Sequence, residues 1–474
     1  MSTPLLHKAY DSALFKNEGE QLVSLLANYL HTTTTGGSDK VLRWTEPEDE
    51  YRFWQQYLST SHSTSDFFKE VLERSIHTHH PKYIGHQVAP TVPVSALATL
   101  LSAQLNNGMA VYEMGAAATA IERLVINTFC KAIGYTNGDG FLTSGGTLAN
   151  LTALLAARRA KATDDVWNEG HSKKLAIMVS EEAHYCVARA ARIMGLGSDG
   201  IIKVPAGDNY QIQTDALESY YTSAIKNGFE VIAIVGSAPS TSTGVYDDLE
   251  EVYAFAKAKK IWFHIDAAHG GAAIFSKKYK HLLNGAHKAD SIIIDGHKMM
   301  GTSAITTAVI FKNSTDSYAT FEQKAQYLWE KNDDADWFNM AKRTFECTKS
   351  MMSVRFYAII NAYGLQFFDD FVTTLYDAAQ QFSDLIAGQQ DFEIALEPVS
   401  NIVCFRYKPS NQEDINEVNK RIRRVLLEDG EFYIVATTLR GEYYLRTTFM
   451  NPFTTGAHTA GLLKKIRVIA ATSF

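Results

Sequence analysis

Several groups of residues in this 474-residue chain have types and spacings that could do chemistry. Thr143-Ser144-Gly145-Gly146-Thr147 runs straight into the helical pattern Leu148–Lys161. Its two glycines let backbone N–H groups approach an anion, the helix start adds partial positive charge, and Ser144 and Thr147 add hydroxyls. By itself the segment also reads as a capped helix start, and the spacing of a P-loop is absent. Asp266 ends the run Ile261-Trp262-Phe263-His264-Ile265, where a carboxylate is costly without a cation or a strong donor. Capping a following helix is its plainer use. Lys298 follows Ile292-Ile293-Ile294 and precedes Met299-Met300. Apolar surroundings favour a neutral amine, the form that adds to an aldehyde, whereas most lysines simply snorkel to solvent.

These groups need a scaffold that brings them together. Apolar runs at Leu175–Ser180, Val231–Ser237, Ile261–Ala267, Ser291–Asp295 and Ala308–Phe311 read as strands. They alternate with helical patterns at Leu148–Lys161, Tyr185–Met194 and Asp247–Lys260, which predicts a mostly parallel sheet covered on both faces. Ligands of such sheets bind at the carboxyl ends of the strands. There the chain places His184, Ser240-Thr241, Asp266 and His297-Lys298. An anion cradle, a strand-end Asp and a Lys match the phosphate, ring nitrogen and aldehyde of pyridoxal phosphate.

Around this middle part, residues 1–90 read as a helical arm, with a helix at Glu18–Leu30 broken by Thr32-Thr33-Thr34-Thr35-Gly36-Gly37. Residues 91–345 form the large α/β domain, and residues 313–345 within it are polar enough for a mobile loop. Residues 346–474 form a smaller α+β domain, with a long helix at Met351–Phe368 and strands near Ile402–Tyr407, Phe432–Thr437 and Tyr443–Thr448.

Composition narrows the classes. Hydrophobic residues at 46% and charged residues at 20% are ordinary globular values. A net charge of −7 without basic blocks argues against nucleic acid as a partner, and the apolar runs are too short to span a membrane. Four scattered cysteines and an N-terminus without a secretory pattern point to a reducing cytoplasm.

Thr143–Asn150 (TSGGTLAN), Ala183-His184, His264–Gly271 (HIDAAHGG), His281–Gly285 and Asp290–Lys298 (DSIIIDGHK) together resemble the group II pyridoxal-phosphate amino-acid decarboxylases. That family includes the glutamate, aromatic-amino-acid, cysteine-sulfinate and diaminobutyrate enzymes. The likeness runs from about residue 80 to 452. It implies the type I fold of the pyridoxal-phosphate transferases, like that of aspartate aminotransferase, and a homodimer. It also implies α-decarboxylation of an L-amino acid to an amine through Schiff-base and quinonoid intermediates. Lys298 would carry the cofactor, Asp266 would face its ring nitrogen, and Ala268 and His184 would cover the two ring faces. Gly145, Gly146, Thr147 and His297 would hold the phosphate, with Thr241 beside the cofactor. Tyr327, in the family's mobile loop with Phe321 and Leu328, would protonate the substrate carbon. His86 and Arg446 would meet the substrate.

Two positions depart from the family pattern. Asp295 stands where the family has asparagine, placing an acceptor-only group beside a phosphate. Pro239 replaces a glycine. Rival readings stay open, the weakest being a non-catalytic interaction protein, which would not need a strand-end Lys and Asp together. An aminotransferase or a carbon–carbon lyase would share the cofactor site. A zinc hydrolase would draw on His264, Asp266 and His269, or on His77, His79 and His80, although no HExxH spacing is present. The substrate stays open at this stage. Val111-Tyr112-Glu113 is similar to the glutamate and sulfinate enzymes, and Thr448–Pro452 to the diaminobutyrate enzymes.

Overall fold

The computed structural model describes residues 4–321, 337–409 and 414–472. By its internal contacts the chain divides into two units. The larger comprises Gln87–Gln380 and Leu396–Val403, and the smaller comprises Met1–His86, Gln381–Ala395 and Cys404–Phe474. These boundaries fall elsewhere than the three-part division above. Residues 346–380 group with the large unit, and the amino-terminal segment groups with the carboxyl-terminal one.

The large unit is built on seven strands: β1 (Asp139–Thr143), β2 (Lys174–Ser180), β3 (Ile201–Val204), β4 (Phe229–Ser237), β5 (Trp262–Asp266), β6 (Ser291–Asp295) and β7 (Thr307–Phe311). Their order is β1-β7-β6-β5-β4-β2-β3. Strands β6, β5, β4, β2 and β3 run parallel. Strand β7 is antiparallel to both β6 and β1, so two reversals return β1 to the common direction and Thr143 leaves the same sheet edge as Asp266 and Asp295. The mostly parallel α/β sheet expected from the sequence is present, and each of its five predicted strands is found. β1 and β3, which no apolar run had marked, complete it. β3 has only four residues, and β1 contains Gly140, whose missing side chain lets Val309 and Ile310 of β7 come close.

Continuous apolar strands fit burial on both faces. Ile177, Ile232, Val235, Ile293 and Val309 are almost wholly enclosed, each contributing about 1.5–3 kcal/mol by leaving water. The helix Gly146–Lys161 lies against them through Ala149, Ala153, Leu154 and Ala157, and small side chains there allow close helix-to-sheet packing. Arg158, Arg159 and Lys161 in its last turn complement the helix dipole.

Two local expectations change. The helix predicted over Met351–Phe368 is two helices, Met352–Tyr363 and Gln366–Ala387, because Gly364 takes a φ of +68°, which stops the first. The threonine run does not break the amino-terminal helix at residue 32. The helix extends over Ser12–Thr34, with the Thr33 and Thr34 hydroxyls donating to the carbonyls of Tyr29 and Leu30 one turn back, at 2.7 Å each.

In the smaller unit, β10 (Val435–Leu439) and β11 (Glu442–Thr448) form a hairpin within a second sheet of order β10-β11-β9-β8, where β8 is Phe392–Ile394 and β9 is Ile402–Tyr407. The predicted strand at 432–437 is therefore shifted toward 439. No helix among the described residues is long and apolar enough to cross a membrane.

Candidate active site

One cavity of about 310 Å³ opens at the carboxyl edge of the large sheet. Ser144, Gly145, Gly146, Thr147, His184, Thr241, Asp266, Ala268, His297 and Lys298 all line it, so the structure brings together the residues expected to hold the cofactor, whereas Ser240 and Phe321 do not line it. Tyr327 lies outside the described residues.

The anion cradle is built by backbone shape. Gly145 adopts φ +98° and ψ 156°, a conformation essentially reserved for glycine, and turns the chain from β1 into the helix Gly146–Lys161. A Cβ on Gly145 would meet Ile305 at 3.0 Å, and one on Gly146 would meet both Asp295 carboxylate oxygens at 3.2 Å. Hydrogen therefore occupies the two places where a side chain would crowd the cradle. Glu346 clips the turn from below, with Oε1 accepting the Thr143 hydroxyl at 2.8 Å and the Ser144 N–H at 3.1 Å.

Asp266, at the end of β5, is held on both oxygens. Oδ1 accepts the Ala268 N–H at 3.2 Å, and Oδ2 accepts the Asn150 amide at 3.1 Å and the Cys186 thiol at 3.7 Å. Burial pushes the Cys186 thiol up, and the Asp266 charge adds to the effect, so Cys186 is a donor here and not a nucleophile. His184 begins the helix Tyr185–Ile193, and its Nδ1 accepts the Cys186 N–H at 3.3 Å. Burial holds its imidazole below the ordinary range, against the opposing pull of Asp266. That leaves a neutral ring, suited to lying against a flat aromatic ligand.

Lys298 differs from the apolar setting read from its neighbours. Its Nζ lies 3.1 Å from Asp295 Oδ2, and its side chain is 19% exposed, so the amine faces a carboxylate. Asp295 is itself buried and accepts the Thr307 hydroxyl on Oδ1 at 2.5 Å. His297 Nε2 is 3.8 Å from the same Asp295 Oδ2, and its Nδ1 accepts the Thr306 N–H at 3.3 Å.

The zinc reading fails on its donors. His264 spends both ring nitrogens on Asn150 and Ser291, at 2.8 Å each. No group of three or more His, Cys, Asp or Glu able to hold a metal occurs among the described residues.

His86 and Arg446 belong to the smaller unit. The His86 ring lies 5.7 Å from that of Tyr433. Burial lowers its basicity, and the nearby charges of Arg446 and Arg423 lower it further.

Sequence reasoning missed Asn150, Cys186, Ile305 and Glu346. Asn150 was legible in hindsight, being one helical turn beyond Gly146 and so on the cradle's face. Glu346 carried no signal, because only the tertiary structure brings it to residue 144.

A helix-start cradle without side chains, a strand-end carboxylate and a lysine in one cavity suit pyridoxal phosphate, a cofactor with one anionic end, one ring nitrogen and one aldehyde. Comparison with known proteins agrees. Residues 52–408 match the model of the pyridoxal-dependent decarboxylase conserved domain. The chain is 29% identical over 463 residues to an aspartate 1-decarboxylase of Aliivibrio fischeri, covering 87% of this chain and 84% of that one. It is 27% identical over 450 residues to an L-2,4-diaminobutyrate decarboxylase of Acinetobacter baumannii, covering 91% and 88%. The crystal structure of mouse CSAD shares the fold at a TM-score of 0.90 and 21% identity, covering 97% of this chain and 99% of that one. The chain belongs to the pyridoxal-dependent decarboxylase family and is an amino-acid decarboxylase that uses pyridoxal phosphate.

Proposed function

We propose that this enzyme removes the α-carboxylate of an L-amino acid as CO2 and returns a proton to the α-carbon, releasing the amine. The observation that carries the reading is the single cavity shared by Lys298, Asp266 and the helix start at Gly145-Gly146-Thr147. Lys298 would hold the cofactor by its aldehyde. Gly145, Gly146 and Thr147 would present backbone N–H groups to the phosphate, with His297 beside them. Asp266 would accept a hydrogen bond from the protonated ring nitrogen, Ala268 and His184 would cover opposite ring faces, and Thr241 would line the near wall.

Pyridoxal phosphate, when bound, supplies an electron sink for the pair left behind as CO2 departs. The chain's own part is to orient, shield and move protons. Asp266, fixed by its three donors, keeps an acceptor aimed at the ring nitrogen. The neutral His184 ring and the Ala268 methyl exclude water from the ring faces. Lys298 Nζ lies 3.1 Å from Asp295, which gives the free amine a fixed partner. Tyr327 would deliver its hydroxyl proton to the α-carbon. Arg446 and His86 would bind the substrate, a guanidinium being suited to a carboxylate.

A homodimer accords with the helix Pro93–Leu105, which leaves Leu97, Leu100, Leu101 and Leu105 about half exposed. A cytoplasmic location accords with four free cysteines.

The test is borohydride treatment of the cofactor-saturated protein followed by peptide mapping, together with CO2 release from a panel of acidic, diamino and aromatic L-amino acids. Label on the peptide containing Lys298 and CO2 from one class are expected. An unlabelled Lys298 peptide would overturn the assignment of that lysine, and amino-group transfer without CO2 would overturn the reaction. Lys298→Ala should lose both label and turnover.

A further inference from the structure

Behind Asp266 runs a chain of buried hydrogen bonds that the reaction as described above does not use. Trp262 Nε1 lies 2.8 Å from Ser291 Oγ, Ser291 Oγ is 2.8 Å from His264 Nδ1, His264 Nε2 is 2.8 Å from Asn150 Oδ1, and Asn150 Nδ2 is 3.1 Å from Asp266 Oδ2. Trp262, Ser291 and His264 are almost fully enclosed, and Asn150 is only 1% exposed.

Each link can be given a direction. Asn150 Nδ2 faces two groups, the Asp266 carboxylate and the Gly146 carbonyl at 3.0 Å, that accept from it. The amide is thereby oriented with its oxygen toward His264, and His264 must carry its proton on Nε2. Burial pulls the His264 imidazole down to about 4, so the ring is neutral near pH 7 and its Nδ1 is a bare lone pair. That lone pair needs a donor, and the Ser291 hydroxyl supplies it. The serine oxygen in turn accepts from the Trp262 indole, which can only donate. A group that only donates stands at one end and a carboxylate at the other.

We infer that Asn150 and His264 are positioning residues for decarboxylation, forming with Ser291 and Trp262 a one-way relay that holds a donor against Asp266 and keeps its carboxylate an acceptor toward the cofactor ring nitrogen. This rests on the decarboxylase reading for the identity of the ring. The relay also explains why strand β5 carries Trp262, His264 and Asp266 at alternate positions, since they share one face of the sheet. Losing the relay would remove one of the three donors that hold Asp266 and leave its Oδ2 more open to a proton, weakening the fixed partner of the ring nitrogen. Supports of this kind are typically worth about 10- to 100-fold in activity.

The test uses the full-length enzyme loaded with pyridoxal phosphate carrying nitrogen-15 in its ring. His264→Leu and Asn150→Leu should move the ring-nitrogen resonance toward the unprotonated position. They should also lower kcat by about 10- to 100-fold with little change in KM. His264→Gln, which keeps an N–H donor, should restore both toward wild type. Folded Leu variants with a wild-type ring-nitrogen resonance would overturn the inference. If the Leu variants do not fold, the tautomer decides. Nitrogen-15 histidine spectra of the cofactor-free wild type, assigned by difference against His264→Gln, should show His264 protonated on Nε2. Protonation on Nδ1, or on both nitrogens at pH 7, would overturn the relay. A wild type that neither labels at Lys298 nor releases CO2 would end the decarboxylase reading instead, and the tautomer measurement would still stand on its own.

Discussion

Asp295 brings a negative charge to a site that must hold a phosphate, where the family it resembles carries asparagine. Its two oxygens are occupied by the Thr307 hydroxyl and the Lys298 amine, so the carboxylate is compensated within the site. A second residue, His264, gives a pH signature with a definite sign. Its folded value of about 4 lies below its ordinary 6.5, so between those values the unfolded chain binds the proton and the folded one does not. Stability from this group is complete above pH 6.5 and falls as pH drops toward 4, by at most about 1.4 kcal/mol per unit. Asp247 acts in the opposite sense. Burial raises it from 3.8 to about 6, so its contribution to stability grows as the solution is acidified through that window. A wild-type scan alone would blend the two. Subtracting the urea-unfolding profile of His264→Gln removes the Asp247 part, and the difference should slope downward from pH 6.5 to 4. A flat difference would mean that His264 is not held neutral.

At the level of elements, the turn from β1 into the helix Gly146–Lys161 depends on backbone that a side chain would strain. Gly145→Ala should destabilise the fold by about 1–3 kcal/mol and weaken cofactor binding, read by denaturant unfolding and by fluorescence titration with pyridoxal phosphate. Unchanged affinity would remove this turn from the phosphate site. The same turn is braced by a fully buried ion pair. Lys349 Nζ meets Glu122 Oε1 and donates to the Leu142 carbonyl at 2.7 Å, while Glu122 Oε1 accepts the Leu142 N–H at 2.9 Å. Both side chains are only 1% exposed. Lys349→Met would strand the carboxylate and should cost about 3–5 kcal/mol. The double variant Glu122→Gln/Lys349→Met should recover part of that loss, because no unpaired charge stays buried. If the double variant is as unstable as the single one, packing and not charge governs the site.

For the whole molecule, the half-exposed leucines of the helix Pro93–Leu105 are the measurable feature. Leu97→Lys/Leu101→Lys places two charges one helical turn apart and should shift the proposed homodimer to monomer in sedimentation equilibrium. An undiminished dimer would assign its interface to another face. Much of this architecture was legible in the chain. Alternating apolar runs and helical periods marked the parallel sheet because burial on both faces demands them. Residues at strand ends marked the cavity, because parallel strands leave their carboxyl ends on a common edge. The helix break at Gly364, the extension of the amino-terminal helix through its threonines and the pairing of Lys298 with Asp295 were not legible. Each depends on local hydrogen bonding or on neighbours distant in sequence. Sequence alone pointed to the cofactor class, through a strand-end Asp and Lys, a helix-start cradle and the family motifs they belong to, and left only the zinc reading for the structure to close. Only the tertiary structure decided which groups hold Asp266 and clip the cradle. Asn150, His264, Ser291 and Glu346 meet their partners across 27 to 203 residues of chain, and a hydrogen bond exists only where folding brings donor and acceptor within about 3 Å.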